Sequence, residues 1–181
     1  GLQRRLRLLA KTAALFRALH ERGLAYGDAS PQNVFVSENS HASEVWLIDC
    51  DNITQGVSPR SVYTPGYAAP ELFNGHRGAD SLTDAWSLAT MIFETLCVLH
   101  PFDGDLVQDG EPELEEQAFR GALPWVDDDD DRANAATHGL PRGLVLTSSL
   151  RLLAASCFGV SRTNREQRPG AAAWAEKLAQ A

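Results

Sequence analysis

Residues 26–33 read Tyr26-Gly27-Asp28-Ala29-Ser30-Pro31-Gln32-Asn33, and an apolar run, Val34-Phe35-Val36, follows at once. After a polar stretch, Ser37 to Glu44, a second run reads Val45-Trp46-Leu47-Ile48 and ends on Asp49. Both runs are short and rich in β-branched and aromatic residues, which predicts a small antiparallel pair. An acid, an amide five residues later and a second acid beyond the second run are thus gathered around one hairpin. What precedes is helical. Leu2, Leu6, Leu9, Ala13, Phe16 and His20 recur at spacings of four and three, one face of a helix of about 20 residues. Gly23 stands where a C′ glycine ends such a helix.

Further along, residues 53–66 are polar and rich in Gly, Ser, Pro and Thr, so a loop is expected. Ala69-Pro70-Glu71-Leu72 opens a short helix, and another loop runs through Gly75 and Gly78. Ser81 or Thr83 is placed to cap the next helix, from about Asp84 to Leu99. Trp86, Leu88, Met91, Ile92, Phe93, Leu96, Val98 and Leu99 cover nearly every side of it. A helix apolar all round and this short belongs in the core. Glu111 to Arg120 reads as a polar helix; Ser148 to Cys157 and Gly170 to Ala179 read as further apolar ones. Asp127 to Asp131 are five consecutive aspartates, read as a solvated, self-repelling loop. The fold class is mainly α, with one short β pair at the candidate site.

The chain has 181 residues, enough for one domain with a real core, and no repeats or long linkers divide it. Apolar residues make up 44% and charged ones 22%, ordinary for a globular protein. The net charge of −8 argues against a general binder of nucleic acid or anionic membrane. No apolar run approaches the roughly 20 residues that span a bilayer. Cys50, Cys97 and Cys157 sit among apolar neighbours and read as free buried thiols, hence a reducing, cytoplasmic compartment. Basic residues that are nearly all Arg, together with abundant Ala, have a bacterial, high-GC flavour.

The Asp28, Asn33 and Asp49 trio is what phosphoryl transfer requires. One carboxylate orients the attacking hydroxyl; an amide oxygen and a second carboxylate hold Mg²⁺ against the phosphates of ATP. Asp-Ala-Ser-Pro-Gln-Asn alone is equally an ordinary turn. Asp49 after a strand and then Tyr63-Thr64-Pro65-Gly66-Tyr67-Ala68-Ala69-Pro70-Glu71 raise it above coincidence. With Asp84-Ala85-Trp86-Ser87-Leu88-Ala89 and Arg168-Pro169 in order, nearly the whole chain resembles the large, helical lobe of eukaryotic-like Ser/Thr protein kinases. Leu47-Ile48-Asp49-Cys50-Asp51, His100-Pro101-Phe102 and Cys157-Phe158 look closest to a bacterial branch that accompanies phosphatase and von Willebrand-type partners.

The resemblance implies roles residue by residue. Asp28 matches the catalytic acid, and Asn33 and Asp49 the Mg²⁺ ligands. Thr64 matches the threonine that bonds the catalytic acid. Glu71 and Arg168 match the ion pair that locks the activation segment to the lobe. Asp84 matches the core-helix acid that bonds the catalytic-loop backbone; a plain helix-start acid is its other reading. Three departures stand out. Tyr26 and Gly27 replace His and Arg, which removes the usual cationic partner of a loop phosphate. Ser30 stands where a Lys steadies the γ-phosphate. Cys50 and Asp51 replace the Phe and Gly that follow the metal-binding acid, and Asp51 cannot take a positive φ freely.

No Gly-rich loop, β-strand Lys or helix Glu of a small lobe is found, so this chain by itself is expected to bind ATP weakly or not at all. Either a small lobe lies upstream in the natural protein or catalysis is lost. Three readings follow: a protein Ser/Thr kinase acting on a protein substrate, a non-catalytic kinase-like docking module, and a small-molecule phosphotransferase. Gly27-Asp28 and Asp49-Cys50-Asp51 also suit the last, but the platform Thr64 to Glu71 favours a protein substrate.

Overall fold

The computed structural model describes residues 1–39, 42–58, 62–73 and 78–181. Gly75 and Ser61 lie outside these. Helix α1, Leu2–His20, opens the chain. It buries Leu9, Thr12, Ala13 and Phe16, while Leu2 stays exposed, so its apolar stripe starts later than the periodicity implied. That stripe packs along α8, Ala171–Ala179, at the other end of the chain and against the central helix. Gly23, at φ +70°, reverses the chain.

Strand β1, Leu24–Ala25, follows, and then a 3₁₀ turn, Pro31–Asn33, leads into β2, Val34–Val36. β2 pairs antiparallel with β3, Val45–Leu47, in the register Val34↔Leu47, Phe35↔Trp46, Val36↔Val45. β4, Thr54–Gln55, pairs antiparallel with β1. It lies inside the segment expected to be loop. Two polar residues carry no alternation, and only their backbone partner makes them a strand.

The main framework is helical, as expected. α2, Pro70–Phe73, is short; α3 spans Ser81–Cys97. α3 begins earlier than expected because Asp80, not Ser81 or Thr83, is its N-cap. The Asp80 carboxylate accepts from Leu82 N at 3.0 Å and Thr83 N at 3.2 Å, and the Thr83 hydroxyl accepts from Asp80 N at 2.9 Å. This reciprocal capping box satisfies amides that a helix start leaves open. α3 is buried on almost every side. Trp86 stacks on Phe102, with centroids 5.6 Å apart, and meets Phe158 edge-on at 5.5 Å. Short helices α4, Asp105–Gln108, and α5, Pro112–Phe119, follow; α6, Arg142–Val145, leads into α7, Ser148–Phe158.

In the aspartate run Asp128 accepts from Asp130 N and Asp131 N, and Asp127 pairs with Arg142 at 3.1 Å. The Asp129 side chain is 99% exposed. Cys97 and Cys157 are buried, whereas Cys50 is exposed, against expectation. The turn after β3 leads the chain to the surface, and Cys50 goes with it. Among the described residues no helix is long and apolar enough to cross a membrane.

α3 ends at Val98, which adopts φ +52° and is exposed. Left-handed backbone is unfavourable for a β-branched residue and free for glycine. Val98→Gly is therefore expected to stabilise the fold by about 1 kcal/mol, read as a higher denaturation midpoint; an unchanged or lower midpoint would show that the site is unstrained.

Candidate active site

The loop 26–33 hangs on one carboxylate. Asp84, in the first turn of α3, is 2% exposed. Its Oδ2 accepts from Tyr26 N at 2.6 Å and its Oδ1 from Gly27 N at 2.9 Å. His20, closing α1, brings Nε2 to 3.1 Å from Oδ2. Two backbone amides that no strand or helix satisfies are paired in this way. Leaving each unpaired would cost roughly 1–3 kcal/mol. Since Asp80 caps α3, Asp84 is released from that task and points its carboxylate into the loop.

On that support Asp28, Asn33 and Thr64 converge. Thr64 Oγ1 donates to Asp28 Oδ1 at 3.0 Å. Asn33 Nδ2 donates to the Asp28 carbonyl at 2.9 Å and lies 3.5 Å from its Oδ2. Asn33 is the last residue of the 3₁₀ turn before β2, and its backbone carbonyl accepts from Ile48 N at 3.0 Å, so the hairpin sets Asn33 and Asp49 at the same end. With Nδ2 committed to Asp28, the atom left to the Asn33 side chain for a metal is its amide oxygen Oδ1. An amide oxygen and a carboxylate are hard donors of the kind Mg²⁺ takes.

The departures from the expected pattern each have a structural account. Tyr26 is 1% exposed, meets Phe16 edge-on at 5.6 Å, and donates its hydroxyl to the Ile48 carbonyl. It thereby ties the loop to the residue before Asp49. Burial is the largest cause pushing its phenol well above the usual range, so it stays a donor. Gly27 has φ +93°, and a Cβ there would lie 3.0 Å from the Asn52 carbonyl. The 3₁₀ turn Cys50–Asn52 thus rests against a bare backbone. Ser30 is fully buried and not at the surface as a phosphate-facing group would be. The left-handed residue after β3 is Asp49 itself, at φ +54°, while Asp51 sits in the 3₁₀ turn. The conformational restriction expected at Asp51 therefore falls on Asp49, and acids tolerate that region better than most side chains.

The platform that begins at Thr64 is fastened from beneath. Arg168 Nη1 and Nη2 donate to the two Glu71 oxygens at 2.8 and 3.1 Å. The guanidinium also donates to Leu82 O at 2.8 Å and lies over the Trp86 ring, 4.9 Å from its centroid. Ser87 donates to Tyr67 O at 2.7 Å. Sequence reasoning missed Arg165, whose Nη1 is 3.4 Å from Glu71 and whose Nη2 is 2.6 Å from Asp80 Oδ1. The available signal was spacing: Arg165 lies three before Arg168, and three residues make one turn of 3₁₀ helix. Also missed were the Tyr67–Glu94 hydrogen bond and His100, whose Nε2 donates to Gly66 O at 2.8 Å.

Comparison with known proteins gives a consistent picture. The family model described as protein kinase domain matches residues 4–177. Serine/threonine-protein kinase sck2 of Schizosaccharomyces pombe is 31% identical over 107 residues, 55% of this chain and 16% of that protein. The cGMP-dependent protein kinase of Toxoplasma gondii is 34% identical over 113 residues, 56% of this chain and 11% of that one. Serine/threonine-protein kinase SCH9 of Candida albicans is 31% identical over 102 residues, 54% and 13% respectively. The matched region is therefore a small part of each of these relatives.

His100 makes the platform sensitive to acid. Its Nδ1 accepts from Phe102 N at 3.2 Å while Nε2 donates to Gly66, a pattern that only the neutral ring can make. Burial, the largest cause, lowers its pKa from the ordinary 6.5. Below 6.5 the unfolded chain therefore binds a proton that the folded one refuses, and stability falls as pH falls. Urea midpoints at pH 7.5 and 5.5 are expected to differ more in the natural sequence than in His100→Gln; equal differences would overturn the assignment.

Proposed function

This chain belongs to the protein kinase domain family, and on that premise we propose that residues 1–181 are the large lobe of a serine/threonine protein kinase, completed by a small lobe elsewhere in the natural polypeptide. The observation that carries this is the convergence on Asp28: a hydroxyl from the platform and an amide from the loop both meet one acid. Asp28 orients a substrate Ser or Thr hydroxyl and receives its proton as the γ-phosphoryl of ATP is transferred in line. Thr64 fixes that carboxylate and joins it to the platform on which a peptide lies. Asn33 and Asp49 would hold Mg²⁺, which neutralises charge building on the phosphates. Glu71 and Arg168 keep the platform seated. The residues upstream of Asp49 form only the floor of the nucleotide site.

The Arg- and Ala-rich composition supports a bacterial source, and the buried cysteines Cys97 and Cys157, which form no disulfide, support a cytoplasmic one. A phosphatase or other regulatory partner belongs with the bacterial branch that the sequence resembles. A second reading, a non-catalytic docking module, draws on Ser30, which offers no cation to a phosphate. A small-molecule phosphotransferase is disfavoured by the platform and its Glu71–Arg168 anchor.

Transfer of the ATP γ-phosphoryl by the longest natural polypeptide containing this chain tests the proposal. Asp28→Asn and Asp49→Ala are expected to lower turnover by 100-fold or more, an order of magnitude set by loss of base and charge stabilisation, with unchanged melting. Near-normal turnover in either variant refutes the roles; no transfer by the natural protein moves the reading to the docking module. A second expectation concerns switching. Gly27 supplies no cation, so phosphorylation of Thr54, Ser58, Ser61 or Thr64 should leave activity without a large gain. Ser61 lies outside the described residues. A strong activation by phosphate at any of the four would sink this.

A further inference from the structure

Between α3, α7 and the loop that precedes α6 there is a cavity of about 630 Å³. Its size is that of small-molecule sites, which run to roughly 300–1,000 Å³. None of its lining residues belongs to the loop 26–33, to Asp49 or to the platform. Its floor is apolar: Phe93, Trp125, Leu146 and Ala154 are buried side chains of the core. Its rim is charged, and the charges do not cancel. Arg142 is committed to Asp127 at 3.1 Å and to the carbonyls of His138 and Leu140. Arg132 reaches Asp129 only at 3.9 Å, with both side chains well exposed. Arg151 donates to the Ser148 hydroxyl at 3.4 Å, and among the described residues no carboxylate lies within ion-pair distance of it. Three guanidiniums thus face two carboxylates on a protein whose net charge is −8. Beside Arg151, Leu152 is 71% exposed.

We propose that this cavity binds a small organic anion, with an apolar body on Trp125 and Leu146 and a single carboxylate at Arg151. An apolar floor with few convergent polar groups is how such sites hold and orient a ligand. Burial of the body supplies most of the affinity, since removing apolar surface from water is favourable wherever it occurs. The guanidinium supplies selectivity. It pairs with a planar carboxylate through two parallel hydrogen bonds and gives nothing comparable to a neutral or cationic group of the same shape. A ligand there touches core side chains of α3 and α7, so its binding should also raise the melting temperature by linkage.

The experiment is calorimetric titration of the longest natural polypeptide with 2-naphthoate and with its neutral counterpart, 2-naphthalenemethanol, in saturating Mg-ATP so that the nucleotide site does not contribute. One naphthoate per chain is expected, bound about tenfold more tightly than the alcohol, the worth of one charge-assisted contact. Arg151→Gln should bring the two ligands to equal affinity. Leu152→Glu should weaken naphthoate and spare the alcohol. Both side chains are exposed, so both variants should fold, which thermal melts will verify. The proposal is overturned if naphthoate does not bind, if it binds no better than the alcohol, or if neither variant alters its affinity. Binding of an acidic, leucine-containing peptide through Arg151 in the absence of naphthoate binding would also overturn it, assigning the face to protein recognition. None of these outcomes depends on phosphoryl transfer.

Discussion

The Asp84 carboxylate is the constraint on which the site depends. It is buried, and its oxygens accept from the amides of Tyr26 and Gly27 and lie within hydrogen-bond distance of His20. A buried acid in this position is costly unless every lone pair is used, and a loop with two unsatisfied amides is costly unless something accepts from them. Each problem is solved by the other. The acid is fixed because α3 is enclosed on nearly all sides, so the most rigid element of the fold sets the position of the loop. Asp28 follows on the next residue, and its aim is a consequence of core packing.

A second charged cluster fixes the platform. Asp80 caps α3 and at the same time pairs with Arg165, which lies beside Glu71, which is bound bidentately by Arg168. Ion pairs this deeply placed contribute little net stability, because desolvation offsets much of the attraction. Their effect is orientation. Planar guanidiniums accept few geometries, and Arg168 is held further by the Trp86 face and the Leu82 carbonyl. Loop and platform are thereby referred to the same helix start, Asp80 to Asp84, and the Thr64–Asp28 hydrogen bond spans two parts that share one foundation.

The departures from the kinase pattern are consistent with one another. Tyr26 fills a core position against Phe16 and reaches Ile48, so its loss would loosen the loop and the Asp49 strand together. Gly27 leaves room for the turn at Asn52 and takes a backbone conformation that a side chain would oppose. The cation that this position lacks is one that the close approach of Asn52 would not accommodate without a shift.

Much of the fold was legible because it is local. The 3.6-residue period of α1, the all-round apolar character of α3 and the paired runs around Ser37 to Glu44 depend on near neighbours in the chain, and each element formed as the residues indicated. The residues gathered at the site were also legible, as residue types at set spacings. What sequence did not determine was anything settled by contact across the chain. The strand at Thr54 exists only because Leu24 and Ala25 supply its partner. The partnership of Arg165 with Asp80 joins residues 85 positions apart. Cys50 is exposed because the turn after β3 leads outward, and the positive φ falls on Asp49 rather than Asp51 because the chain must bend there to meet the loop. Local pattern writes itself into sequence through periodicity and propensity. Partner choice for a buried charge does not, because it is decided only once packing has brought distant groups together and removed the water between them.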